Sequence, residues 1–81
     1  MEDTEILHAI TAMTNEEHEL LHEGEVKNGL TEAQHTRLSE LKVEIDRLWD
    51  LLRQRRARRH AGLNPDAAEE RPASIVENYR Q

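Results

Sequence analysis

Five large aliphatic residues, Leu38, Leu41, Ile45, Leu48 and Leu52, recur at alternating three- and four-residue intervals. That is the beat of a helix burying one seam against a partner. A strand cannot use this spacing, because its side chains change face at every residue. Trp49 on one shoulder and Leu51 on the other widen the apolar face beyond what a single partner helix covers. In the same register Arg55 and Arg59 fall where further leucines belong, so the seam stops at Leu52 while the helix runs on toward Ala61.

The partner lies upstream. Ile6, Ile10, Met13, Leu20 and Gly24 form a second stripe at helical spacing, flanked by Leu7 and Leu21. Asp3 or Thr4 is suited to cap its first turn, and Asn28-Gly29 is suited to stop it in a left-handed turn. Glu17 falls inside the stripe, where a carboxylate needs a cation or water. The second helix opens on Thr31-Glu32-Ala33-Gln34, a capping box in which hydroxyl and amide satisfy end groups reciprocally. Gly62 followed by Leu63 reads as its C-terminal cap.

These signals predict an all-α antiparallel hairpin, with one helix over about residues 4–28 and another over about 31–61. Residues 62–81 form a tail with short helical turns, opening on Asn64-Pro65-Asp66, a cap with proline at the first helical position. Composition agrees: 35% of the 81 residues are charged and 2% aromatic, with three glycines and two prolines, which leaves little material for a sheet. A chain this short and this charged has few apolar side chains to offset its conformational entropy. Dimerisation into a four-helix bundle, covering the Trp49 and Leu51 shoulder, is the expected remedy.

Charge is unevenly distributed. Residues 1–30 hold eight acids against Lys27, residues 31–52 five acids against three bases, and residues 53–60 five arginines and no acid. The net charge of −6 opposes generic binding to nucleic acid or anionic lipid. With no cysteine, disulfides and thiolate metal sites are excluded. The acidic start, Met1-Glu2-Asp3-Thr4-Glu5, is unlike a secretory leader, and no apolar run is long enough to span a bilayer, so a cytoplasmic location is expected.

Two motifs carry potential chemistry. His18-Glu19-Leu20-Leu21-His22 has the H-E-x-x-H form in which two histidines hold zinc and the glutamate acts as base. The longer metalloprotease pattern fails, because Glu25 and Asn28 stand where Gly and His are required. His18 and His22 thus remain candidates for a non-catalytic metal site against a reading as solvated surface histidines, and no cofactor is expected. Arg53, Arg55, Arg56, Arg58 and Arg59 are dense enough to meet phosphates. The hairpin supplies a competing account: pairing about a turn near residue 29 sets Arg55 beside Thr4, with Glu2, Asp3 and Glu5 as neighbours. Intramolecular or intersubunit pairing is then the first expectation, an acidic protein partner the second and nucleic acid the third. No nucleophile with its base and no phosphate-cradling loop is present, so no enzyme activity is expected.

The run Leu48-Trp49-Asp50-Leu51-Leu52-Arg53-Gln54-Arg55-Arg56-Ala57-Arg58-Arg59, with Asn64-Pro65-Asp66 and Arg71-Pro72, resembles a family of small actinobacterial proteins of unknown function, DUF2630. The resemblance spans nearly the whole chain and brings no activity, cofactor or partner. It does imply a shared surface around Trp49, Asp50 and the arginines 53, 55, 56, 58 and 59. The expected role is a non-enzymatic interaction or oligomerisation module.

Overall fold

The computed structural model describes residues 1–79, with the side chains of residues 77–79, Tyr79 among them, outside what it describes. Two long helices, α1 (Asp3–Val26) and α2 (Glu32–His60), pack antiparallel, followed by a single 3-10 turn (Pro65–Ala67) and a short helix α3 (Ala73–Tyr79). Among the described residues there is no strand.

Local chemistry sets the helix ends. At the start of α2 the Gln34 amide donates to the Thr31 hydroxyl at 3.1 Å, and the Thr31 amide donates to the Gln34 side-chain oxygen at 2.9 Å. The start of α1 differs from the expected cap at Asp3 or Thr4. Glu2 is the capping residue, and its amide donates to Glu5 Oε1 at 3.0 Å. Asp3 is drawn instead toward two arginines of α2, described below. Asn28 turns left-handed at φ 58°, and the Gly29 amide closes back on the Gly24 carbonyl at 2.7 Å. Leu30 then folds over the helix end so closely that a Cβ on Gly24 would lie 3.0 Å from its side chain, which explains a glycine inside an apolar stripe. Gly62, at φ 74°, ends α2 in the same way, with Leu63 donating to the Arg58 carbonyl at 2.8 Å.

The core sits toward the open end of the hairpin. Ile6 and Ile10 of α1 pack with Leu48, Leu51 and Leu52 of α2, and Ala9, Met13, Ile45 and Ala68 close its edges. Nearer the turn, Leu38 and Leu41 are also buried, and Arg37 clasps Glu16 across the helices at 2.5 and 3.0 Å. The tail returns along α2 and docks: Ala68 packs on the core and Val76 is buried. This changes the expected division of the second shoulder. Leu51 is covered within one chain, whereas Trp49 remains 37% exposed. The physical reason is that the tail supplies apolar cover which periodicity in the two long helices alone assigns to a second molecule.

Truncating Leu52, which is fully enclosed, is expected to cost about 2–5 kcal/mol, because it removes apolar contact and leaves a cavity. Leu21→Ala, at an exposed position, is expected to change stability by less than about 0.5 kcal/mol. Urea unfolding followed by circular dichroism checks both, and equal costs would contradict this placement of the core.

Candidate functional site

Arg55 occupies the helical position after Leu48 and Leu52 that an uninterrupted seam gives to an apolar residue. Its side chain is 4% exposed. Nε donates to Asp3 Oδ1 at 2.5 Å, and Nη1 donates to Asp66 Oδ1 at 3.0 Å and to the Pro65 carbonyl at 3.3 Å. One turn further along, Arg59 takes both Asp3 oxygens, at 3.2 and 2.5 Å. A guanidinium survives in this position because its planar fork meets several fixed oxygens at once. Asp3 is thus held between two cations, and the hydrogen bonds from Arg59 and then Arg55 lower its carboxyl pKa to about 2.

The opposite face of α2 holds the tail. Arg47, Asp50, Gln54 and Arg58, at intervals of three, four and four residues, lie along one side of the helix. Arg58 donates to the Asn64 carbonyl at 2.6 Å, Gln54 to the Glu69 carbonyl at 2.7 Å and Arg47 to the Arg71 carbonyl at 3.0 Å. Descending along α2 therefore means ascending along the tail. The irregular segment between Ala68 and Pro72 lacks helical partners for its carbonyls, and side chains of α2 stand in. Asp50, 1% exposed, accepts from both Arg71 Nε, at 2.9 Å, and Arg71 Nη2, and from Gln54 at 3.0 Å. The Arg71 hydrogen bonds hold its carboxyl below the usual range. Glu44, by contrast, is pushed up, by burial first and by the neighbouring Glu70 second.

This sorts the residues expected to form one contact surface. Asp50 and Arg55 are interior groups and are not available to a partner, since the tail covers the first and α1 with the tail encloses the second. Arg58 and Arg59 are engaged with Asn64 and Asp3. Trp49, Arg53 and Arg56 remain on the outside. Periodicity had no means of marking Arg47, Gln54, Asp66 and Arg71 as fasteners; the one available signal was a lone Arg71 following Glu69 and Glu70 in a tail beside a helix rich in polar groups. His18 and His22 are exposed one turn apart on α1, and among the described residues no group of three or more histidine, cysteine or acidic side chains is arranged to hold a metal ion.

One flank of the hairpin is left uncovered by the described residues. Thr14 and Glu17 of α1 and Lys42, Ile45 and Asp46 of α2 line an open depression of about 280 Å³ there. Glu17, the misfit of the apolar stripe, is half-buried in this water-accessible place. Leu7 and Leu21 stand seven residues either side of Thr14, and Trp49 stands seven beyond Lys42, so all three share the flank. Their exposures are 39%, 43% and 37%.

Asp3→Asn is expected to lower the melting temperature at pH 7. A carboxyl with a depressed pKa contributes stability that is present above its unfolded value of 3.8 and lost as pH falls through the folded value of about 2. The difference between wild type and variant should therefore be constant above pH 5 and vanish toward pH 2 in thermal melts; a constant difference down to pH 2 would contradict the clamp. Arg71→Ala leaves Asp50 buried with Gln54 alone, and is expected to cost roughly 3 kcal/mol in urea unfolding, with Arg53→Ala near neutral.

No solved structure matches this chain. Uncharacterized proteins of Mycobacterium bovis and Mycobacterium tuberculosis are 46% identical over 52 residues, covering 63% of this chain and 60% of each relative. The match thus spans about three fifths of those relatives' length. The family described as protein of unknown function DUF2630 matches residues 2–81. Because that match covers all but the first residue, the chain belongs to the DUF2630 family.

Proposed function

We propose that this protein is a non-enzymatic helical interaction module of the cytoplasm, and that its contact face is the flank bearing Leu7, Leu21 and Trp49. The observation that carries this reading is the contrast between the faces of the hairpin. Arginines and the tail close the open end and the back of α2, while Leu7, Leu21 and Trp49 stay exposed along one side; Met1 and Val26 at the ends of α1 and Leu63 and Ile75 in the tail are exposed as well. Aromatic anchors beside polar groups are what protein contacts use, since a tryptophan contributes a large area with little loss of conformational freedom. Two depressions among the described residues, about 280 and 270 Å³, are open and lined largely by charged groups, a setting better suited to a protein surface than to an enclosed small substrate.

Nucleic acid is a weaker reading for the same reason that the clamp exists. Of the five arginines at positions 53–59, three are committed to oxygens of this chain, leaving Arg53 and Arg56 to meet phosphates against a net charge of −6. His18 and His22 form a bare pair without a third ligand among the described residues, which favours solvated histidines over a metal site.

A photo-crosslinking amino acid placed at Leu21 or at Ala12 in the full chain, in the cells that make it, tests the face. Ala12 is exposed and nine residues from Leu21, on the opposite side of α1. A discrete adduct from position 21 and none from position 12 is expected. Equal labelling from both, or none from position 21, would overturn the assignment.

A further inference from the structure

We infer that the depression between α2 and the tail is a docking site for an acidic side chain of a partner protein, with the Arg53 guanidinium receiving its carboxylate. The site lies on other residues than the flank, so it stands or falls independently of the flank reading.

Asp50, Arg53, Gln54 and Ala57 follow one another at steps of three, one and three residues, which sets them on one side of α2. Arg71 of the tail completes the lining of an open hollow of about 270 Å³. Pockets that enclose a small molecule run to ~300–1,000 Å³ and bury most of it. A shallow, open hollow of this size instead suits the tip of a side chain arriving from another surface. Ala57 is exposed, and its single methyl group leaves the floor apolar and the hollow unfilled.

Two arginines against one aspartate leave this lining with a single positive charge. Internal pairing decides where that charge sits. Arg71 gives Nε and Nη2 to Asp50, and Gln54 gives its amide to Asp50 and to the Glu69 carbonyl, so the Asp50 carboxylate is matched within the wall and is 1% exposed. Arg53 is exposed and makes no hydrogen bond or ion pair among the described residues. The acids of the tail are placed elsewhere: Glu70 is paired with Arg47 at 3.9 Å, and Glu69 meets α2 through its carbonyl.

One uncommitted guanidinium beside a small apolar floor is complementary to one carboxylate, since the two planar groups match through parallel hydrogen bonds. A phosphate group carries nearly twice that charge and calls for a second cation, whereas Arg71 is engaged with Asp50. A nucleic-acid backbone is a poorer match again, because its run of phosphates would meet a chain of net charge −6.

The experiment is fluorescence anisotropy of a dye-labelled peptide bearing a run of glutamates, titrated with the full chain at physiological salt. A glutamine counterpart, a phosphoserine counterpart and a dye-labelled single-stranded RNA are titrated alongside. Arg53→Lys keeps the charge and loses the fork, and Ala57→Leu fills the hollow without altering charge. Arg56→Gln removes an exposed charge one turn from Arg53 that does not line the hollow. Circular dichroism reports that each variant is folded. The glutamate peptide is expected to bind and the glutamine peptide not to; Arg53→Lys and Ala57→Leu should each weaken binding about fivefold or more, and Arg56→Gln about twofold at most. No binding of the glutamate peptide up to about 1 mM overturns the inference. So does an Ala57→Leu variant that binds as wild type does, or a loss from Arg56→Gln that equals that from Arg53→Lys, which marks diffuse attraction. Tighter binding of the phosphoserine peptide or of the RNA replaces the carboxylate with a phosphate and overturns it as well.

Discussion

Arg55 places a guanidinium where three stretches of chain converge: the first turn of α1 through Asp3, the end of α2 on which it resides, and the tail through Pro65 and Asp66. A leucine in this seam position would join α1 to α2 and nothing more. An arginine reaches further and is directional, so the same side chain that continues the helix packing also fixes where the tail must start back. Arg59 adds a second grip on Asp3 and leaves that carboxylate with charged partners on both sides. Buried ion pairs are often worth little in net stability, because desolvation offsets attraction. Their value here is geometric: they specify one register of the hairpin and one direction for the tail.

The tail follows from that constraint. Once Pro65 and Asp66 are held, the segment beyond runs down the back of α2, and Arg58, Gln54 and Arg47 receive its carbonyls in turn. Asp50 and Arg71 then lock its far end, Ala68 completes the edge of the core, and Val76 is buried. The central helix is thereby enclosed on two sides, by α1 through apolar contacts and by the tail largely through polar ones. An 81-residue chain meets part of its core shortage by folding its own end over the shoulder at Leu51. The flank bearing Leu7, Leu21 and Trp49 stays open among the described residues, and the contrast between it and the faces closed by α1 and the tail is the basis of the functional reading.

Much of the frame was legible in the residues. The heptad spacing of Leu38 through Leu52 marked the helix face, Thr31 with Gln34 marked a start, and Asn28-Gly29 and Gly62 marked the stops. Opposed charge blocks also pointed to the acidic N-terminus meeting the arginines, and Asp3 with Arg55 and Arg59 realises this. The site was less legible. Asp50 stands on the polar face of α2, where period and hydropathy both mark an exposed group, yet it is among the most buried residues. Arg55 read as the end of a seam and is the keystone of its closure. In both cases the deciding partner, Arg71 or Asp66, lies 21 or 11 residues away in the tail, which carries no period.

Helix class, helix ends and the antiparallel turn were determined by the sequence itself, because they depend on groups within about four residues of one another, where spacing dictates contact. Which charges pair, which carboxylate is buried and which tryptophan flank stays open were decided only by the tertiary structure. Those outcomes turn on which of several arginines reaches which of several acids once the tail has folded back. A charge pattern names the candidates for such a contest, and three-dimensional proximity selects among them.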